Sequence, residues 1–522
     1  DISRAYVFSG LITSVRMLAQ GAHGAILLTG KSPTVSLERG VICQTYSNTN
    51  LYTIINEITE GAMHLSVINN ADWNSDIAFA IQFKESDWDF LRRTLHQYNV
   101  QYHYNGLDLI VGSYPEYPVV NLTYDMEISS LEVCSRLLPN DGTNYFYRRE
   151  DHSTIRQDSP REIDGANYYL QEVSKQADYL TMERKSNAPI DAYVPDMDSL
   201  IGQMNRKKVA TGAEMMYIRG EAKCVDVLIG RLINIKFPKS LGGTEIGTYR
   251  VYEVVHQIDQ NGRYVANFEA VPANLAYLPT PEVRIPVINQ LQAEVWRNSD
   301  PAKIGRIQVK FPFDERVCDY WMPTMSIHAG GNGWGAGPPS RGFAFTPEPS
   351  DSVVVSFFDN NLNDPYVQGS VFHGSNAQDI GGASDNAIKT ITTRSGISIT
   401  FNDNQRSLNI EDPSGNKWSM DGDGNIRVVA PNLINITSEQ LRIEVLKDFQ
   451  LIVGNKWITD VMGATYFSTP YLKQIIKGFL DIYSDKALLY SNDTLSLESN
   501  EISAIGSNKI FVHSDKETTV NS

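Results

Sequence analysis

Leu441-Arg-Ile-Glu-Val-Leu446, Phe449-Gln-Leu-Ile-Val453 and Leu495-Ser-Leu-Glu-Ser499 are units of one rhythm. Short alternating segments start near Leu433, Leu441, Phe449, Trp457, Thr465, Leu472, Leu480, Ala487, Leu495, Ile502 and Ile510, in steps of seven or eight residues. A step this constant is the signature of a repeat architecture. Each unit reads as one strand and one turn. A lone strand of that length cannot bury its apolar face, so it must stack on neighbours. The unit is short for a coil of a monomeric solenoid. Three chains, each giving one side of a prism, fit it better; an ordinary meandering β-domain is the alternative.

Upstream, the texture changes twice. Residues 1 to about 285 mix strands with a few helices, and residues 290–375 are rich in Gly, Pro and short strands. The clearest helix is expected near 86–98. Ser86 and Asp89 have capping-box spacing, and Trp88, Leu91, Leu95 and Tyr98 share one face. A hairpin is expected around Asn105-Gly106. An internal echo links residues 7–33 with 228–272. Both read as antiparallel strands joined by hairpins, and two related barrels in one chain would produce it.

Composition excludes several function classes. The chain has 522 residues, which divides into three or four domains of ordinary size. Hydrophobic residues make up 42%, charged residues 20%, and the net charge is −16. That balance argues against a nucleic-acid-coating protein, which needs cationic contacts to phosphate. It equally argues against a polybasic membrane-surface protein. No run of 18 apolar residues exists. The chain opens on Asp1 rather than Met, and its first residues lack the pattern of a signal peptide. Cys43, Cys134, Cys224 and Cys318 are far apart and form no CxxC pair, which predicts reduced thiols in a cytoplasmically made protein.

Three motif-like stretches fail on their context. Thr29-Gly30-Lys31-Ser32 imitates the end of a phosphate loop, but Ala25 stands where that loop needs Gly, and Pro33 follows. Gly331-Asn-Gly333-Trp-Gly335-Ala336 imitates a dinucleotide fingerprint, but Pro338-Pro339 forbids the helix it requires. Asp421-Gly-Asp423-Gly-Asn425 imitates a calcium loop, yet Ile426 and Asn432 occupy the positions that need Gly and Glu; a tight turn is expected instead. Carboxylate pairs such as Asp87/Asp89 and Asp412/Asp421 are to be expected among 61 acidic residues, most of which are read as solvated faces. No catalytic, cofactor-binding or metal-binding residue is assigned, no cofactor is expected, and the chain is read as no enzyme.

The most specific stretch is residues 291–375. It runs Asp300-Pro-Ala-Lys-Ile-Gly-Arg-Ile-Gln-Val-Lys-Phe-Pro-Phe-Asp314, then Trp321, then Pro349-Ser-Asp351-Ser-Val-Val-Val-Ser-Phe-Phe, then Asp364-Pro-Tyr-Val-Gln-Gly-Ser370-Val-Phe-His-Gly374. This resembles the OB-fold segment of VgrG-type spike proteins of type VI secretion and related contractile injection systems, kin to phage tail hub–needle proteins. Asp76 through Leu91 and Tyr249 through Pro272 look like that family's hub. Asn386 through Phe401 and Gly424 through Pro431 look like its entry to the needle.

The resemblance implies a mainly β fold with some α. It divides the chain into a phage-hub-like region at 1–285, an OB-fold collar at 290–375 and a trimeric β-helix or β-prism shaft at 376–522. The hub would hold two β-barrels plus an α/β insertion, its first barrel incomplete. The resemblance implies a homotrimer seated on a hexameric, Hcp-like inner tube. A PAAR-like protein would cap its tip, with baseplate proteins and effector cargo as further partners. It would be assembled in the bacterial cytoplasm and ejected on contraction to puncture a target membrane. The short connector from Ser375 to Asp385 leaves no room for an inserted lysozyme, and no effector domain is visible within the 522 residues. A phage or released-particle tail spike is the nearest alternative, and a polysaccharide-cleaving tail spike a remoter one.

Overall fold

The computed structural model describes residues 8–20, 23–73, 75–181, 183–331, 340–376 and 385–503. The chain divides into two compact units. One runs to Pro413 and takes in Trp418–Arg427; the other comprises Ser414–Lys417 and the chain from Val428 onward.

In the first unit the largest sheet has six strands. Their order is Val120–Thr123, Leu232–Lys236, Glu245–Ile258, Tyr264–Pro272, Met216–Ala222, Ile128–Ser135. Its two edge strands are consecutive in the chain. The tight turn Tyr124–Glu127 joins them, closed by the Asp125 N–H donating to the Ile128 carbonyl at 2.8 Å. That turn brings the ends of the two edge strands together at one corner, with an isolated bridge between Tyr124 and Ile128, while Ile128–Ser135 stays largely exposed along its length. Alternate residues Ile218, Ala222, Tyr249, Val251, Phe268 and Ala270 fill the sheet's core. This is the later half of the expected echo. The earlier half is a two-stranded hairpin, Leu11–Gln20 against His23–Lys31. Residues 42–112 add a two-stranded and a three-stranded sheet around helices Leu51–Thr59 and Asp87–Gln97. Among the described residues a first barrel is thus not assembled within one chain. Its hairpin leaves Ile12, Val15, Met17 and Ile26 more than half exposed.

Local expectations fare well where chemistry is local. The helix is Asp87–Gln97, and the Ser86 hydroxyl accepts from the Asp89 N–H and donates to its carboxylate. The expected hairpin joins Tyr102–Tyr104 to Asp108–Gly112, with the Asn105 carboxamide oxygen accepting from the N–H groups of Leu107 and Asp108. Lys31 of the false phosphate loop ends a strand and pairs with Glu38. The false dinucleotide loop lies almost entirely outside the described residues.

The collar sheet has the order Gln308–Lys310, Leu291–Arg297, Ser352–Phe357, Pro365–Ser370. Its core includes Val295, Val309, Phe311, Val353, Val355 and Val367. Beyond it, strands Ile388–Thr392, Ser398–Asn402 and Ser407–Glu411 pair antiparallel and remain in the first unit. The contact border at 413–428 therefore falls well past the change of composition near 376. Asp421 makes the expected turn, accepting from the N–H groups of Asp423 and Asn425.

In the second unit no described residue from 434 to 503 lies in a helix or a hydrogen-bonded strand. The strands expected there do not pair within the chain. What the chain has is bends, at 431–432, 439, 446–447, 454–455, 462–463, 470, 477–478, 485, 492–493 and 500. They recur every seven or eight residues. From Leu441 to Ile502, each expected segment starts two residues after a bend. The first segment alone is shifted by one: two past the bend is Ile434, not Leu433. The last expected segment, at Ile510, lies outside the described residues.

Candidate functional site

The first candidate surface is the joint between hub and collar. Strand Ile77–Glu85 is buried on both faces. Ile77 and Ala80 pack into the helical hub core, while Phe79 and Ile81, with Phe83 beside them, pack into the collar core. Hub and collar thus share a strand rather than a flexible linker. Two charged clasps flank it. In one, Asp314 of the collar accepts from the Thr45 N–H at 2.8 Å and the Thr45 hydroxyl at 2.9 Å. Arg316 bonds the same carboxylate, the Thr45 carbonyl and Glu57. Burial works to raise the Asp314 carboxyl, but Arg316 and the Thr45 donors outweigh it and hold it below its usual range.

In the other clasp, Arg149 of the hub insertion forks onto Asp364 of the collar at 2.5 and 2.7 Å. Its guanidinium lies 4.0 Å from the centre of the Phe358 ring. Burial raises the Asp364 carboxyl despite this partner. Arg149→Ala would leave a largely buried carboxylate without its cation. It is expected to cost about 2–4 kcal/mol, read as a lowered urea midpoint of the first unit.

Asp300 organises the collar loop. It accepts from the N–H groups of Ala302, Ile304 and Arg306 and from the Arg306 side chain. Burial opposes ionisation, but these donors prevail and lower its carboxyl to about 2. A depressed carboxyl contributes stability that is present above its unfolded value and lost as pH falls through the folded one. Asp300→Asn is therefore expected to lower stability at pH 5 and to flatten the loss between pH 4 and 2, measured by urea denaturation.

The most perturbed histidine, His103, is lowered to about 4 by burial and then by Arg250. It packs against Gly230, whose φ of +83° brings the backbone close, and belongs to the hub interior. Asp87 is spent on Arg39 and Gln82, and Asp89 on the Ser86 cap. Among the described residues no group of three or more His, Cys, Asp or Glu is placed to hold a metal ion. All four cysteines are unpaired, and burial pushes the Cys318 thiol up to about 12. No described helix is long and apolar enough to cross a membrane.

The second candidate surface is the chain beyond Pro431. Every described residue from 431 to 503 is exposed, including Leu441, Phe449, Leu451, Trp457, Leu480 and Leu495, each more than half. No backbone hydrogen bond joins any two of these residues. The backbone groups that are bonded here meet nearby hydroxyls, as Tyr471 N–H meets Thr469 and Glu501 N–H meets Ser499, and exposed apolar surface on this scale marks an interaction site. Counting two residues past each bend separates the two faces of the alternation. One face carries Leu441/Ile443/Val445, Phe449/Leu451/Val453, Trp457/Thr459/Val461, Leu472/Gln474/Ile476 and Leu480/Ile482/Ser484, without a charge. Arg442, Glu444, Asp460, Lys473, Asp481 and Glu498 all alternate onto the other face. Arg442 pairs with Glu444 at 2.6 Å, as residues two apart do when they share a face of extended chain. This count puts Trp457 on the uncharged face and Tyr466, Tyr471 and Tyr483 on the charged one.

Comparison with known proteins fits this geometry. A family model, the Type VI secretion system/phage-baseplate injector OB domain, matches residues 291–372. The collar is similar to injector OB domains of that kind. Among solved structures, the half-lidded Francisella PdpA–VgrG complex is similar with a TM-score of 0.50 and 9% identity, over 80% of this chain and 74% of that one. An E. coli type VI secretion component, described as similar to the T4 bacteriophage tail proteins gp27 and gp5, reaches 0.40 at 13% identity, covering 69% and 83%. A tail protein of Neisseria meningitidis MC58 reaches 0.38 at 13% identity, covering 52% and 83%. No curated protein matches. At these identities the structural likenesses speak for the fold alone. That fold is mainly β with an OB collar, and the resemblance to VgrG-type spike proteins read from the sequence holds.

Proposed function

We propose that this chain is one third of the hub and spike of a contractile injection machine, structural rather than enzymatic. The observation that carries it is the bare stretch 431–503. A single-chain solenoid would pair each segment with a later segment of the same chain; here none pairs. The partners must be other chains. Three copies, each laying its uncharged face inward, would bury the apolar rows and use the free backbone groups. Closing the prism would also remove its sheet edges. Force along such a rod would be shared among hydrogen bonds of all three chains.

On this reading the hub occupies 1–285, the collar 290–375 and the shaft 376–522. The exposed hairpin Leu11–Lys31 would find its partners at the hub's subunit contacts. The hub would face a hexameric tube and the shaft a conical tip protein, with effectors carried along and the assembly ejected on contraction. The test is the mass of the native particle in solution. Three copies of the 58.4 kDa chain give about 175 kDa. A monomer at micromolar concentration would defeat the proposal.

A further inference from the structure

The uncharged face of the shaft segments is apolar at nearly every central position. Those positions are Ile443, Leu451, Thr459, Phe467, Gln474, Ile482, Leu489 and Leu497, each four residues past a bend. Thr459 and Gln474 are the two polar exceptions, and Gln474 alone carries an amide. Its side chain carries two donors and an acceptor, while the neighbouring units present Phe467 and Ile482. The opposite face of the same segment holds Lys473. Turning that face inward would bring three ammonium groups together, a far worse arrangement than three amides.

We infer that Gln474 meets its two copies on the shaft axis as a ring of hydrogen-bonded amides that fixes the register of the three chains. The inference rests on the three-chain reading above. An array of near-identical units has a particular weakness: a chain can slip by one unit, looping out seven or eight residues at modest entropic cost. Apolar layers scarcely resist this, because one large aliphatic side chain replaces another. A slip at Gln474 sets its amide against Phe467 or Ile482 of a neighbour, where its donors and acceptor find no partner. In register, each amide donates one N–H to the carbonyl of the next around the threefold, so every side chain has a donor and its acceptor engaged. A buried polar residue fixes the register of coiled coils in the same way, at some cost in stability.

The test uses the full chain and three variants. Gln474→Glu places three carboxyls in the ring. Burial and mutual repulsion would raise their folded pKa above the unfolded value, so stability is present at low pH and lost as pH rises. The shaft transition of this variant is expected to fall by on the order of 10 °C between pH 5 and pH 8, while wild type and Gln450→Glu, on the charged face, stay level. Gln474→Leu is expected to melt higher than wild type yet to exchange its shaft amides as two populations, in register and slipped.

A trimer whose Gln474→Glu form melts identically at both pH values overturns the inference and leaves the three-chain reading standing. If that variant forms no shaft at either pH, Gln474→Leu decides. An unchanged or lower melting temperature, or a single exchange population, overturns the inference. A monomeric wild type overturns the parent reading instead.

Discussion

A chain carrying Leu451→Asp is expected to keep its hub and collar and to lose its shaft completely. Leu451 is the central residue of its segment, and Ile443 precedes it at the same position one unit earlier. In one chain it is 56% exposed, so the free monomer gains nothing by hiding it. In the three-chain prism proposed above, the substitution would become three carboxylates in one apolar layer. Each would cost several kcal/mol to desolvate without a partner, and they repel one another. A layer so penalised cannot be repaired by one layer above and one below. The first unit has separate cores and should be untouched. Circular dichroism should therefore show the shaft transition gone and the hub transition retained. Gln450→Asp, one residue away on the charged face, should stay within about 0.5 kcal/mol of wild type. If both substitutions are tolerated equally, the assignment of the inward face is wrong.

How much of this was legible beforehand depended on the range of the interaction. The Ser86 cap involves atoms three residues apart, and the Asn105 turn is equally local; propensity and hydrogen-bonding chemistry suffice for both. The shaft rhythm was legible because repetition multiplies a weak local signal over ten units. Its one-residue error at Leu433 arose because Leu433 and Ile434 are both apolar, so only the bend at 431–432 separates their faces. The pairing of the shaft strands was illegible for a different reason: among the described residues from 434 to 503 none finds a strand partner in its own chain, so no pairing within one sequence could be read.

Between hub and collar the difficulty was long range. Arg149 and Asp364 are 215 residues apart, and Thr45 and Asp314 are 269 apart. Nothing local marks Phe79 and Ile81 as belonging to the collar core, because a strand buried on both faces reads as one continuous apolar run. The contact border and the change of composition also fall at different places. The glycine-rich connector near 381 looks like a linker, whereas the strands at 388–411 hold to the first unit through contacts that composition does not reveal.

Phe79→Ala is expected to destabilise hub and collar together, by about 3–5 kcal/mol. Phe79 is fully buried, and its ring lies 5.7 Å from that of Tyr320 in the collar. It projects from a strand whose neighbouring residue Ala80 packs the opposite way, into the hub. Truncation removes apolar contact from the collar core and leaves a cavity that the flanking sheets cannot close without moving the strand. Because that strand also seats Ile77 in the hub, the cost should appear in both halves as one shifted cooperative transition. Phe83→Ala, at the half-buried end of the same face, should cost no more than about half as much. Two resolved transitions in the Phe79→Ala variant, with only the collar shifted, would show hub and collar to be independent modules. A single transition, lowered as a whole, is what two cores seated on one shared strand require.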